Sequence, residues 1–278
     1  VKRSARTIGI VNDSNRTGPN PSVISTAVSP ADIEHFNRTG WLLTDTLDAA
    51  GVEELRSWMD EIAEWPEQGD GWMHHYELTD EGPKLCRSEN LIPFHSGLRE
   101  LITTGALIEV ASGLLGSQAV LYKEKVNYKL PGGAGYAPHQ DAPAYPFIDS
   151  HVSCMVAIDD STPENGCLEV ASAQHQMLLA TDDSGCITQE IVDSLQWDLV
   201  PVQAGQTLWF HSRTPHRSGA NNSRLPRRAL YPTYNALVEG DLRDEYYERK
   251  VAEFAAGEAA EGRVRVSLIG DFQGRSVG

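Results

Sequence analysis

Cations are scarce in this sequence. Lys and Arg number 23 against 39 Asp and Glu, a net charge of -16, so the chain lacks the phosphate-neutralising surface that general nucleic-acid binding needs. Long apolar runs are also missing. No stretch approaches the roughly 18 residues of a membrane-spanning helix, and no apolar leader stands at the start, so neither a membrane anchor nor a secretory signal is expected. Cysteine is sparse, at four residues, and Cys86, Cys154, Cys167 and Cys186 show no CxxC spacing. That excludes a disulfide framework and a cysteine zinc site, and it predicts free thiols in a reducing cytoplasm. No Gly/Ser/Pro-rich linker divides the middle. The chain therefore reads as a flexible polar arm over residues 1–30, followed by one domain over 31–278.

What is present falls into two halves. Ser29-Pro-Ala-Asp32 predicts a capped short helix ending near Gly40. Trp41 to Thr44 reads as a strand, and Val52, Leu55, Trp58, Met59 and Ile62 give helical spacing over Ala49 to Trp65. Trp65 to Leu91, with His74 and His75, reads as an irregular loop or lid, and Leu98 to Leu115 as one helix. From about residue 118 to 236 the pattern changes to short β-branched and aromatic runs broken by Gly, Pro, Asn and Asp. These runs cover 119–122, 125–129, 152–158, 167–170, 207–210 and 228–234. The rhythm predicts a mainly β chain with a jelly-roll core, flanked by N-terminal helices and a charged C-terminal helix over Arg243 to Ala256.

Chemistry concentrates at His139-Gln140-Asp141. Residues i and i+2 of a strand project to one face, so this imidazole and carboxylate can reach one ion. A third ligand must come from a distant strand. His216 in Arg213-Thr-Pro-His216 is the best candidate, and His211, directly after the strand Thr207 to Phe210, is its competitor. Two histidines and a carboxylate on one face of an ion, with open positions opposite, are diagnostic of non-haem Fe(II) oxygenases. An HxD triplet alone is weak, because a His near an Asp is usually a solvated pair. Its surroundings strengthen it: Leu130-Pro-Gly-Gly-Ala-Gly135 can bring backbone close to a buried site. The other histidines, His35, His74, His75, His95, His151 and His175, read as surface or hydrogen-bonding residues.

Several segments resemble the phytanoyl-CoA dioxygenase-like family of Fe(II)/2-oxoglutarate oxygenases. They are Tyr128-Lys-Leu-Pro131, Pro138-His-Gln-Asp141, Glu164-Asn-Gly-Cys-Leu168, Ala204-Gly-Gln-Thr-Leu-Trp-Phe-His211, His216-Arg-Ser-Gly-Ala-Asn-Asn-Ser223 and Pro226-Arg-Arg-Ala229, running from Lys125 to about Tyr234. The resemblance implies a double-stranded β-helix of cupin-like form with Fe(II) on His139, Asp141 and His216. It further implies that Arg227, eleven residues after His216, pairs with the distal carboxylate of 2-oxoglutarate. A guanidinium fork suits that task; Arg228, its neighbour, should face the other way. Lys129 matches a basic position near the co-substrate, Thr207 and Ser218 could add hydroxyl contacts, and Met155 stands where some relatives carry Trp. His175 resembles the turn histidine of the family.

The activity the resemblance implies is oxidation of a small molecule by O2, with 2-oxoglutarate decarboxylated to succinate and CO2. Asp141 favours hydroxylation, since halogenating relatives carry a small residue there. The stretch from Tyr231 through Lys250 looks like bacterial members acting on small polar metabolites, including organophosphonates of the 2-aminoethylphosphonate type. Candidate partners for such an anion are Lys123, Lys125, Arg87, Arg213 and Arg217, with Tyr136 and Tyr145 on the wall; for each, a solvated charge or packing aromatic is the plainer reading. An amino acid or natural-product scaffold is the alternative substrate. A cupin-like isomerase or hydrolase without 2-oxoglutarate is one rival class, which Arg227 separates; a non-catalytic binding module is another, which decarboxylation of 2-oxoglutarate would separate.

Overall fold

The computed structural model describes residues 27–66, 71–79, 82–145, 148 and 151–261. The expected flexible arm lies, through residue 26, outside the described residues.

Among the described residues, eleven strands and six α-helices follow in order: α1 (Pro30–Thr39), β1 (Trp41–Asp45), α2 (Ala49–Ala63), β2 (Met73–Thr79), β3 (Gly82–Glu89), α3 (Ser96–Thr103), α4 (Ala106–Leu115), β4 (Ala119–Lys129), β5 (Tyr136–His139), β6 (His151–Ala157), β7 (Leu168–Val170), α5 (Gln189–Ser194), β8 (Asp198–Val200), β9 (Gln206–His211), β10 (His216–Ser218), β11 (Arg227–Ala236) and α6 (Arg243–Glu261). A seven-stranded sheet, β1-β9-β6-β11-β4-β3-β2, faces a four-stranded sheet, β5-β10-β7-β8. Every pairing is antiparallel. This is the jelly roll expected of the strand-and-turn pattern.

Helices α1 to α4 cover one face of the larger sheet. Ser29 caps α1 in a box with Asp32, and Gly40 ends it in the left-handed conformation (φ 86°). Asp48 caps α2, whose Val52, Leu55, Trp58, Met59 and Ile62 are buried. They pack with Val126, Cys154, Val156, Trp209, Leu230 and Tyr234 of the sheet. The opposite face looks into the roll, where Met155, Leu208, Phe210 and Ala229 meet Leu168 and Val170 of the small sheet. All four cysteines are free and buried.

Three expectations change. Within the span read as a loop from Trp65 to Leu91, Met73–Thr79 and Gly82–Glu89 are the paired strands β2 and β3, which extend the large sheet. The single helix over Leu98 to Leu115 is two, because Thr104 is extended and Gly105 adopts φ 65° between α3 and α4. The runs at 119–122 and 125–129 form one strand, β4. It is bulged against β11 at Thr233/Tyr234, where Lys123 pairs with Thr233 but Leu121 with Tyr234. The bulge turns Leu121 toward the helical core and Lys123 toward the interior.

Candidate metal centre and adjoining cavity

His139 ends β5, His216 opens β10, and the two are register partners across the small sheet. Their ring centroids are 4.2 Å apart. Asp141 lies just beyond β5 in helical backbone, so the carboxylate arrives from a turn and not from the strand itself. One ligand atom from each of the three residues lies within 4.8 Å of the others. Asp141 Oδ1 is 3.8 Å from His139 Nε2 and 3.9 Å from His216 Nε2.

Each group is oriented from behind. His139 Nδ1 lies 2.7 Å from the Ala137 carbonyl and His216 Nδ1 3.0 Å from the Thr214 carbonyl. An Nδ1–H donated to a carbonyl leaves the Nε2 lone pair facing the centre. Burial, then the neighbouring His216, pushes His139 down to about 3, which keeps that imidazole neutral as a ligand requires. Ser153 Oγ donates to Asp141 Oδ2 at 2.9 Å, leaving Oδ1 for the centre. Burial would raise the Asp141 carboxyl, but His216, His139, Lys123 and Lys125 hold it well below the usual range. The donor set of two imidazole nitrogens and one carboxylate oxygen, open on one side, fits Fe(II). His211 does not join it: its Nδ1 accepts from Arg213 N at 3.0 Å, and its ring packs against His175.

The open side gives onto a cavity of about 40 Å3 whose lining includes His139, Asp141, His216, Lys123, Lys125, Tyr136 and Tyr145. Lys123 Nζ sits 4.4 Å from the Tyr145 ring centre and Lys125 Nζ 5.5 Å from that of Tyr231. Burial, then Lys250, pushes Lys123 down to about 8; burial, then Arg87, lowers Lys125 well below its usual range. Arg87 stands behind this wall, donating from Nε to Asn127 Oδ1 (3.0 Å) and from Nη2 to the Tyr136 hydroxyl (3.3 Å). Arg213 and Arg217 are not brought to the lining. Arg217 pairs with Glu169 at 2.8 Å and stacks on Trp197.

Arg227 is buried on β11 with Nη1 donating to Ser161 Oγ at 2.9 Å, and its Nε has no partner. Lys129 is its register partner on β4. Lys129 Nζ donates to Ser218 Oγ at 3.0 Å and to the carbonyls of Gly166 and Gly219. A buried guanidinium with an orphaned donor beside a second buried cation fits a carboxylate. Arg228 turns outward to Asp159 and Asp60. Met155 is packed inside the roll with Leu208 and Phe210. Thr207 faces the other way, its hydroxyl accepting from Thr46 Oγ1 at 2.8 Å, so it contributes no contact to the cavity.

Of the histidines read as surface or hydrogen-bonding residues, His74, His75, His95, His151 and His175 are buried and not at the surface. His95 caps α3, and His74 meets Ser88 Oγ at 2.9 Å. Asn127, Phe210, Tyr231 and Thr233 also line the cavity but were not singled out from sequence. Stepping by two from Lys125 reaches Asn127, and from Arg227 reaches Tyr231 and Thr233, so alternation held the signal.

A model of the phytanoyl-CoA dioxygenase (PhyH) family matches residues 36–229, and the chain belongs to that family. It is a dioxygenase that uses iron, 2-oxoglutarate and O2. It is similar to a methylphosphonate hydroxylase of Gimesia maris, 46% identical over 255 residues, or 91% of this chain and 98% of that protein. It also resembles a 2-aminoethylphosphonate dioxygenase of uncultured bacterium HF130_AEPn_1, at 38% over 78% of this chain and 85% of that one. Among solved structures, EctD from S. alaskensis with 2-oxoglutarate and 5-hydroxyectoine shares the fold. The TM-score is 0.68 at 20% identity, covering 79% of this chain and 83% of that one. No described helix is long and apolar enough to cross a membrane.

Proposed function

We propose that this enzyme hydroxylates a small alkylphosphonate and that methylphosphonate is the substrate its cavity suits best. The observation that carries the reading is the pair Lys123 and Lys125 on the wall facing the metal ligands. Their ammonium groups are depressed by burial; Asp141 and Glu89 act on them only from beyond ion-pair distance, and the groups they lie against are the rings of Tyr145 and Tyr231. A phosphonate dianion supplies the missing counter-charge. Among the described lining residues Asp141 is the sole carboxylate, so a substrate ammonium would find no free partner. The 46% identity to the Gimesia maris methylphosphonate hydroxylase supports the same reading.

In this reading His139, Asp141 and His216 hold the iron, which couples decarboxylation of 2-oxoglutarate by O2 to replacement of a substrate C–H hydrogen by hydroxyl. Arg227 and Lys129 grip the distal carboxylate of 2-oxoglutarate. Lys123 and Lys125 fix the phosphonate so that its alkyl carbon points to the metal. Phe210 and Leu168 supply the apolar part of the lining and keep water from the reacting carbon. The free, buried cysteines suit a reducing cytoplasm.

A turnover screen with Fe(II) tests this. Methylphosphonate should stimulate consumption of 2-oxoglutarate well above 2-aminoethylphosphonate, amino acids and ectoine. Stimulation by an amino acid and by no phosphonate would reject it.

A further inference from the structure

The wall that carries Lys123 and Lys125 continues onto β3, where Glu89 stands opposite Lys125 in register and Arg87 opposite Asn127. Glu89 is fully buried. Its Oε1 lies 3.5 Å from His75 Nε2 and 3.6 Å from Arg87 Nη1, and its Oε2 accepts a hydrogen bond from Lys250 Nζ of α6. Burial alone would raise the Glu89 carboxyl. Lys250, ahead of His75 and Arg87, holds it ionised far below the usual range.

Nothing in the chemistry of the metal centre requires α6 to reach this point, yet the helix is fastened so that it does. Arg243 donates to both oxygens of buried Glu124 at 2.6 and 3.1 Å. The Tyr247 hydroxyl donates to the Glu124 carbonyl and accepts from its amide. Tyr246 packs on Tyr122, ring centres 4.9 Å apart. Lys250, one turn beyond Tyr246, therefore arrives at Glu89 from a fixed direction.

Without Lys250, Glu89 would keep only its longer contacts to His75 and Arg87, and its charge would harm an anion site in two ways. It would repel the dianion, and it would offer Lys125, its partner across the ladder, an acceptor in place of the substrate. We propose that Lys250 is a positioning residue for the substrate anion: by holding Glu89 Oε2 from the C-terminal helix it leaves Lys123 and Lys125 to the phosphonate. The inference rests on the reading of the substrate as a phosphonate. It assigns α6, remote in sequence from the metal ligands, a part in substrate affinity.

The test is a pair of variants assayed as iron-loaded full chains. Lys250→Met should raise the KM for methylphosphonate about tenfold, the effect of a carboxylate beside the anion left with only its longer contacts to His75 and Arg87. The KM for 2-oxoglutarate and kcat at saturating phosphonate should stay within about twofold, a margin well under 1 kcal/mol. Adding Glu89→Gln to Lys250→Met removes the competing charge and should restore the phosphonate KM, as should Lys250→Arg alone. An unchanged KM in Lys250→Met overturns the proposal. So does a parallel loss in both KM values and kcat that Glu89→Gln fails to rescue, since that marks mere structural damage. Wild-type enzyme that oxidises no phosphonate would sink the substrate reading and this inference together; wild-type turnover matched by Lys250→Met would sink this inference alone.

Discussion

Arg227 and Lys129 face one another across the β4–β11 ladder, two buried cations at one end of the roll. Like charges so placed call for an anion between them, and Arg227 Nε is left without a partner to give it one. Arg227→Ala should raise the KM for 2-oxoglutarate by about 30-fold or more, as expected for truncating one side of a buried charged hydrogen-bonded pair. Iron affinity, measured by titration without co-substrate, should change little. Equal loss of both would place Arg227 in the metal site's scaffold instead.

The same pair predicts a proton linkage. Burial, then Arg227, pushes Lys129 down to about 7, so at pH 8 its amine is mostly neutral. A carboxylate bound beside it favours the charged form and raises that value again. Binding of 2-oxoglutarate should therefore take up a proton at pH 8 and little or none at pH 6, where Lys129 is already charged. Anaerobic calorimetry in two buffers of different ionisation heat reads this directly. Identical heats in both buffers at pH 8 would contradict it.

Ser153 holds Asp141 by the oxygen that faces away from the centre. Ser153→Ala should lower iron affinity by about 10- to 100-fold, the usual effect of removing such a support, and Ser153→Thr should retain most of it. An alanine variant that binds iron as tightly as the wild type would show that the turn alone aims the carboxylate.

Most of the roll was legible because strands such as β6 and β9 carry β-branched or aromatic runs. The metal triad was legible from its residue types and family-like segments, although Asp141 reaches the centre from a turn and not by strand alternation. The β2–β3 hairpin was not legible. Its inner positions include His75, Arg87 and Glu89, charged residues where an apolar core would place Leu or Val. The polarity that makes this end of the roll a binding wall is what disguised it as a loop. Gly105 hid for a different reason: one residue with positive φ divides α3 from α4 without disturbing the apolar spacing on either side. Thr207 was misjudged by neighbourhood, since it lies in a family-like segment but on the outward step of the alternation. Met155 and Ser218 fall on inner positions, the first in apolar packing and the second holding Lys129.

Gly135 marks how closely the 130–135 loop lies on β10. A Cβ there would press into the Ser218 carbonyl, two residues from His216. Gly135→Ala should destabilise the fold by roughly 1–3 kcal/mol and weaken iron binding, read as a lower melting temperature and a shifted iron titration. A variant with wild-type stability would mean that the loop can lift away without cost to the centre.

In the function proposed above, the triad, the Arg227 end and the Lys123–Lys125 wall together make a phosphonate hydroxylase. Its most direct test is 31P NMR and mass analysis of a reaction with methylphosphonate, 2-oxoglutarate, Fe(II) and 18O2. The account predicts hydroxymethylphosphonate carrying 18O, formed in step with succinate. Succinate formed without any change to the phosphonate, or no succinate at all, would contradict it.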